Sequence, residues 1–431
     1  MSREENRKNF SKYVSQNILG MIGFSCYVLA DSYFISIAKG ADGLTALNLV
    51  MPLYSIIFSI GEMIGVGSAI RYAISKIKKD ADADDYFWNA LIWCIMSSMI
   101  FVFAGIFFSA DIMRVLGADE HIVAVGNNYT KIFMCFAPMF MCNYVTNAFV
   151  RNDGAPGIAM SATLFSSLFN IVFDYILMFP MNLGMEGAAL ATALSPIIGM
   201  GICSIHFFSK KSSVRLVVCK PSVRKLVAGS QLGVSAFVGE MSSAVITLAF
   251  NFVILKLAGN VGVAAYGVVA NIAIVTTAVF NGVAQGSQPL ISSCFGRGDQ
   301  DGCTQLKRMG YTTAFVLAAV MYSILFIFAG QFVAVFNSEG SEMLRLYATE
   351  GVKLYFIGIF FAGINIVGGG AFSATEDAFK AAVVSVARGF VLILGAVFVM
   401  SALFGMTGVW LAYAVAEGIT TFIMLVMALR V

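Results

Sequence analysis

The sequence predicts an all-α polytopic membrane protein, with twelve transmembrane helices in two pseudo-symmetric lobes of six. Three observations carry that prediction. The 431 residues are 59% hydrophobic and only 12% charged, which is more apolar surface than one water-facing core of this length can bury. Apolar stretches of about 20 residues, the length that crosses a hydrocarbon core, recur with short polar breaks between them. The second half also repeats landmarks of the first in the same order.

In chain order, a basic start (Arg3, Arg7, Lys8, Lys12) leads into an apolar run of spanning length without a small-residue cleavage pattern. It reads as a retained first helix rather than a cleaved leader. The spans of the first half fall near 15–37, 44–74, 87–108, 126–148, 157–180 and 187–208. After a basic segment they resume near 232–257, 264–295, 310–332, 348–372, 379–402 and 407–429. The expected organisation is an N-lobe at 1–209, a basic linker at 210–231 and a C-lobe at 232–431. Even-numbered breaks hold Lys76, Lys78, Lys79, Arg151, then Lys210, Lys211, Arg215, Lys220, Arg224 and Lys225, and later Arg297, Lys307, Arg308 and Lys380. Odd-numbered breaks hold almost no basic residues, so both termini and the basic loops are expected in the cytoplasm. These charges need no ligand role beyond fixing topology.

GVGSAIRYAIS from Gly65 matches GVAQGSQPLIS from Gly282, 217 residues later. Gly40 and Gly43 match Gly259 and Gly262 at a spacing of 219, and GMEGAALATA from Gly184 matches GMTGVWLAYA from Gly405 at 221. An even number of spans per unit makes these parallel repeats about an axis along the membrane normal. Such repeats place a cavity between two lobes that rock against each other.

Ionisable groups at bilayer depth are costly and are functional candidates by default. Asp31 lies in the first span, Glu62 in the second, Asp174 in the fifth, Glu240 early in the seventh and Glu417 in the last. Asn170 and Asp174 are four apart and share a helix face. With Asp31 and the Thr192 hydroxyl they make a hard-oxygen set that suits Na⁺, or a carboxylate pair that carries a proton. Carried forward by the repeat spacing, Asp31, Asn170 and Asp174 become apolar residues or glycine in the second half, which favours a dedicated cation site over general glue. Glu240 is a candidate contact for a cationic substrate from the second lobe. Glu62 is a further candidate, and like Glu417 it also suits a structural or interfacial place.

Other classes find little support. A net charge of +3 from 27 basic and 24 acidic residues points to no nucleic-acid partner. The eight cysteines lack metal or redox spacing, and His121 and His206 are far apart in the chain. No His-Glu-His, Gly-x-Ser-x-Gly or Cys-x-x-Cys arrangement suggests an enzyme, and no resident cofactor is expected.

Read together, LADSYFI, GVGSAIRYAISKIKK, FVRNDGAPGIAMSATLFSSLFNIVFDYILMF, GMEGAALATALS, GVAQGSQPLISSCFGRGD and GMTGVWLAYAVAE make the chain resemble the multidrug and toxic compound extrusion (MATE) family over nearly its whole length. The resemblance implies two six-helix lobes forming a V and export of organic cations or amphipathic compounds by antiport with Na⁺ or H⁺. It also implies a bacterial inner-membrane protein acting as a monomer. The family's N-lobe cation residues match Asp31, Asn170, Asp174 and Thr192, and Glu240 falls where some members keep a helix-seven acid. One departure is GINIVGGGAFSATED, which lacks a membrane-embedded acid and has Glu376 and Asp377 only at its end. The N-lobe set is therefore the expected cation site. The alternative within the superfamily is a flippase for lipid-linked oligosaccharides or precursors. That job calls for a strongly cationic cavity, whereas only Arg71, Lys353 and Arg388 approach helix interiors. A membrane receptor or enzyme is a more distant alternative.

Overall fold

The computed structural model describes residues 3–336 and 341–429, and every regular element among them is helical. The first half holds α1 (Arg3–Gly40), α2 (Asp42–Lys78), α3 (Asp85–Val115), α4 (Glu120–Cys135 continued by Ala137–Asn152), α5 (Pro156–Met178) and α6 (Gly184–Phe207). α4 bends by 46° at Phe136, because Pro138 enters the second segment without an N–H to donate. The second half holds α7 (223–258), α8 (260–296), α9 (Gln300–Ile327), α10 (Glu342–Ala374), α11 (378–404) and α12 (406–429). A short helix, Ala329–Phe336, continues α9.

α3 shows what its solvent is. It buries Asn89, Ser98 and Ser109 while exposing Ile100 (71%), Phe103 (58%) and Phe107 (63%). A helix with its polar groups inside and its large apolar groups outside is stable only in hydrocarbon.

The repeat seen in the sequence has a backbone counterpart. Gly40 (φ 57°, ψ −142°) breaks α1 from α2, and its repeat mate Gly259 (φ 61°, ψ −157°) breaks α7 from α8. Gly405 (φ 58°, ψ −136°) breaks α11 from α12, and its mate Gly184 opens α6 at φ 52°. Only glycine adopts this conformation without strain. A Cβ at Gly259 would meet no atom within 4 Å, so the cost of Gly259→Ala is backbone strain alone. We expect it to lower thermal stability by about 1–3 kcal/mol. Gly267→Ala, at an equally open but helical position of α8, should be neutral or stabilising by up to about 1 kcal/mol. Thermal unfolding of both purified variants checks the contrast.

Each half has its own apolar core. In the first, Tyr54 stacks on Phe133 at 3.6 Å and Phe149 packs on Phe87 at 5.0 Å. In the second, Tyr355 stacks on Tyr413 at 4.4 Å and Phe250 on Tyr266 at 5.0 Å. The crossovers are few: Phe10 and Val14 of α1 join the second core, and Leu232 of α7 joins the first.

The lobes are joined at the end that carries the N-terminus. There α1 meets α8, with Gly282 and Gly286 lying on the Ile18 and Val14 backbone, and α2 meets α7 through Gly229 and Gly233. Arg71 and Lys78 of α2 pair with Glu376 at the end of α10, Lys225 pairs with Asp85, and Asn6 donates to Gln305 at 3.3 Å. The connection between the lobes is pinned by Asp153, which accepts from Tyr72, His206, Ser212 and the Ser213 N–H. α7 begins at Val223, capped by Ser222. The last part of the expected linker is therefore helical, and it packs against α2.

Candidate cation site and inter-lobe cavity

Asp31 of α1, Asn170 and Asp174 of α5 and Thr192 of α6 all turn inward, with exposures of 5%, 0%, 0% and 1%. α1 and α5 approach closely because Gly20 and Gly23 of α1 lie against Met160 and Leu164 of α5. The two carboxylates lie in each other's field. Asn170 donates its Nδ2 to Thr192 Oγ1 at 3.1 Å, which orients its carbonyl oxygen away from the hydroxyl. Asn170 Oδ1, both carboxylate oxygens of Asp174 and Oδ1 of Asp31 are buried with no hydrogen-bond partner.

Buried acceptors are normally satisfied, because an orphan costs about 1–3 kcal/mol and a charged one more. Four orphan oxygens in one place are a donor set for a cation or proton. Among the described residues no three His, Cys, Asp or Glu side chains group as a metal site. Hard oxygens of this kind suit a monovalent cation or a shared proton better than a transition metal.

Next to this set lies a cavity of about 110 Å³, lined mainly by the first lobe and closed by Glu240 and Gln285 of the second. Its N-lobe wall includes Phe24, Tyr27, Phe58 and Tyr144, and it takes Glu62 from α2, Arg151 from α4, Glu240 from α7 and Gln285 from α8. Arg151 donates to Gln285 Oε1 at 2.7 Å, and Gln285 Nε2 donates to Glu62 Oε1 at 3.3 Å. This chain of bonds ties α4, α8 and α2 across the lobe junction. Drug-sized guests occupy pockets of roughly 300–1,000 Å³, so the cavity as it stands is smaller than one needs.

The cation set and the cavity share walls. Ser167 and Ser195 line the cavity from α5 and α6, and Ser195 donates to the Thr192 carbonyl at 3.0 Å. Tyr27 lines the cavity while lying in the combined field of Asp31, Asp174 and Glu240.

The structure thus brings Asp31, Asn170, Asp174 and Thr192 into one buried set and places Glu62 and Glu240 on one cavity. Glu417 is not part of the cavity lining. It is paired inside the second lobe with Arg388 at 2.8 Å. Arg151, which its position in the sequence suggests is a loop charge fixing topology, is instead 4% exposed and reaches inward. Gln285 carries no charge and was invisible as a partner, although the repeated GVAQG segment holds it.

The MatE family model matches this chain twice, at residues 17–176 and 236–399, one match in each half. The chain belongs to the MatE family. This MatE chain is 27% identical over 414 residues to the multidrug export protein MepA of Staphylococcus aureus (strain MRSA252), covering 93% of this chain and 89% of that protein. MepA of Staphylococcus saprophyticus is 26% identical over 405 residues with the same coverage. Among solved structures, an outward-facing multidrug resistance MATE transporter of the MOP superfamily superimposes with a TM-score of 0.92 at 20% identity, covering 99% of this chain and 96% of that one. A MOP superfamily transporter from Pyrococcus furiosus, described as having a binding pocket of reverse polarity, gives a TM-score of 0.90 at 20% identity, covering 98% and 95%. The shared fold is twelve helices in two lobes. Among the described residues, nine helices of the MatE chain are long and apolar enough to cross a membrane, or ten with the bent α4 counted as one. Dividing the two longest at Gly259 and Gly405 gives twelve.

Proposed function

We propose that this MatE transporter exports organic cations or amphipathic compounds by antiport with Na⁺ or H⁺ through alternating access. Asp31, Asn170, Asp174 and Thr192 hold the coupling ion, and Glu62 and Glu240 face the substrate. The reading is carried by the four partnerless buried oxygens of Asp31, Asn170 and Asp174 beside an acidic, aromatic-walled cavity. A carboxylate pair with ring faces attracts an organic cation by charge and by cation–π contact. Inward movement of one cation gains about 2.3 kcal/mol per 100 mV of membrane potential when the exported compound is neutral, whereas one-for-one exchange against a monovalent organic cation is electroneutral and is driven by the Na⁺ or H⁺ concentration gradient. The lysine and arginine asymmetry supports a multi-pass protein with both termini cytoplasmic, and the bacterial MepA relatives support a bacterial inner membrane.

A flippase for a pyrophosphate-linked lipid is less favoured, because Arg151 is the cation of the cavity and it already bonds Gln285 beside Glu62. The test is transport by the full-length chain in proteoliposomes, with a fluorescent organic cation and a neutral amphipathic dye, under separate Na⁺ and pH gradients. One of the two gradients should drive transport of the cation. Glu62→Gln and Glu240→Gln should each raise its KM about 10-fold, near 1.4 kcal/mol, with little change for the neutral dye. Transport indifferent to both gradients, or equal losses for both dyes, would overturn the proposal.

A further inference from the structure

The second lobe holds a buried charge that the proposed mechanism does not use. Glu417 of α12 is 2% exposed, and both of its carboxylate oxygens are saturated. Arg388 of α11 donates Nη2 to Oε1 at 2.8 Å and Nε to Oε1 and Oε2 at 3.1 and 3.3 Å. Asn365 of α10 donates to Oε2 at 2.7 Å and to the Glu417 carbonyl at 2.9 Å, and its own oxygen accepts from Thr421 at 3.0 Å. Arg388 reaches this position from a single π-helical turn, Ala387–Val391, in an otherwise α-helical α11. Such turns carry one residue too many for the α-helical register and often mark functional places.

The sequence repeat relates this cluster to the first-lobe set. The spacing of 221 that aligns Gly184 with Gly405 also aligns α6 with α12 and Thr192 with Tyr413. Tyr413 lies against Arg388. The acids do not correspond position by position, since Glu417 aligns with Pro196 and Asp174 with Gly395; what the lobes share is an acid somewhere on this pair of helices, α5 and α6 or α11 and α12, with an amide close by. The first-lobe acids have orphan oxygens. The second-lobe acid has none, because a guanidinium on its own chain fills the place.

We propose that the second lobe contains a monovalent-cation pocket, built by Glu417 and Asn365, whose permanent occupant is the Arg388 guanidinium. The second lobe therefore exchanges no cation, and ion coupling runs through the first lobe alone. The pocket itself stands independently of the transport reading, while its consequence for coupling rests on it. Its ligand class is planar, small and monovalent: removing the Arg388 side chain opens a site for free guanidinium.

The test uses the purified full-length chain, with thermal unfolding followed during titration with millimolar guanidinium chloride against choline chloride at equal ionic strength. Wild type should respond equally to both salts. Arg388→Ala should unfold roughly 5–10 °C lower, as expected when a buried acid loses its partner, and guanidinium but not choline should restore a saturable part of the loss. The double variant Arg388→Ala/Glu417→Gln should show no such recovery. Equal response of Arg388→Ala to both salts, or recovery of the double variant as well, would overturn the pocket. If Arg388→Ala does not accumulate, Arg388→Met/Glu417→Gln, which removes both charges together, decides the matter in proteoliposomes. It should move as many cations per substrate as wild type, and a lower ratio would make Glu417 an exchangeable site and refute the proposal.

Discussion

Asp174→Asn should lower substrate efflux at least about 100-fold while leaving the protein as stable as wild type or slightly more so. Asparagine keeps the shape of the side chain and removes the charge. Asp174 is fully buried on α5, and neither of its carboxylate oxygens has a partner in the protein. A fixed acid there costs stability and is retained where it binds something. Losing one carboxylate of a pair in a low-dielectric site costs about 3–5 kcal/mol of cation binding, so a 100-fold loss, about 2.7 kcal/mol, is a lower bound. The stability readout separates this from a structural role. If Asp174 glued α5 to its neighbours, the amide variant would melt lower. If it holds a cation, the variant melts at or above the wild-type temperature and loses ligand-linked stabilisation. For a sodium-coupled chain, Na⁺ at 100 times its Kd should stabilise the wild type by about 2.7 kcal/mol over the same concentration of choline, and Asp174→Asn should not respond. Asp31→Asn should behave likewise. Wild-type efflux by either variant would remove the coupling assignment.

The six-plus-six architecture was legible because hydrocarbon imposes a length on every apolar run, and the turns at Gly40, Gly259 and Gly405 were legible as repeat landmarks before their conformation was known. The helix ends were not. α1 runs from Arg3 to Gly40, well beyond the apolar window of 15–37, because a helix continues into water once its turns satisfy their own hydrogen bonds. The start of α7 hid in a basic segment for the same reason. Within the site, the spacing of Asn170 and Asp174 declared a shared helix face, and the cost of membrane acids singled out Asp31. What stayed hidden were pairings between distant segments. Nothing in the sequence says that Arg151 turns inward to Gln285, 134 residues on, or that Arg388 pairs with Glu417. Nor did the sequence show which helices the glycines at 229 and 233 and at 282 and 286 admit.

Those glycines support the second large effect. Gly229→Ala/Gly233→Ala should cut transport roughly 30- to 150-fold, although each lobe keeps its own core. Gly229 and Gly233 sit four apart on α7 and lie on the α2 backbone: a Cβ at Gly233 would overlap the Met63 carbonyl oxygen, and one at Gly229 would come within 2.6 Å of Ser68 Oγ. Small residues four apart let two membrane helices touch backbone to backbone, where packing rather than hydrophobicity drives association. The obstacle at Gly233 is backbone, so it cannot rotate away, and the methyl groups must push α7 off α2. Forcing extra carbon into a close-packed contact costs about 1–3 kcal/mol. That cost falls on the joined arrangement of the lobes, because α2 and α7 belong to different lobes. A penalty of about 2–3 kcal/mol shifts a two-state equilibrium by the stated factor. Gly239→Ala on the same helix, where an added Cβ meets nothing within 4 Å, should transport normally and serves as the control. The mechanism is checked by thiol labelling of a cysteine placed at Ser68 in a background freed of the native cysteines. Ser68 is 3% exposed in the joined state, so labelling should be slow with native glycines and at least 10-fold faster with the alanine pair. If labelling stays slow while transport is lost, the glycines act on something other than the seam between the lobes, and the closed end must be held chiefly by its ion pairs, Arg71 with Glu376 and Lys225 with Asp85.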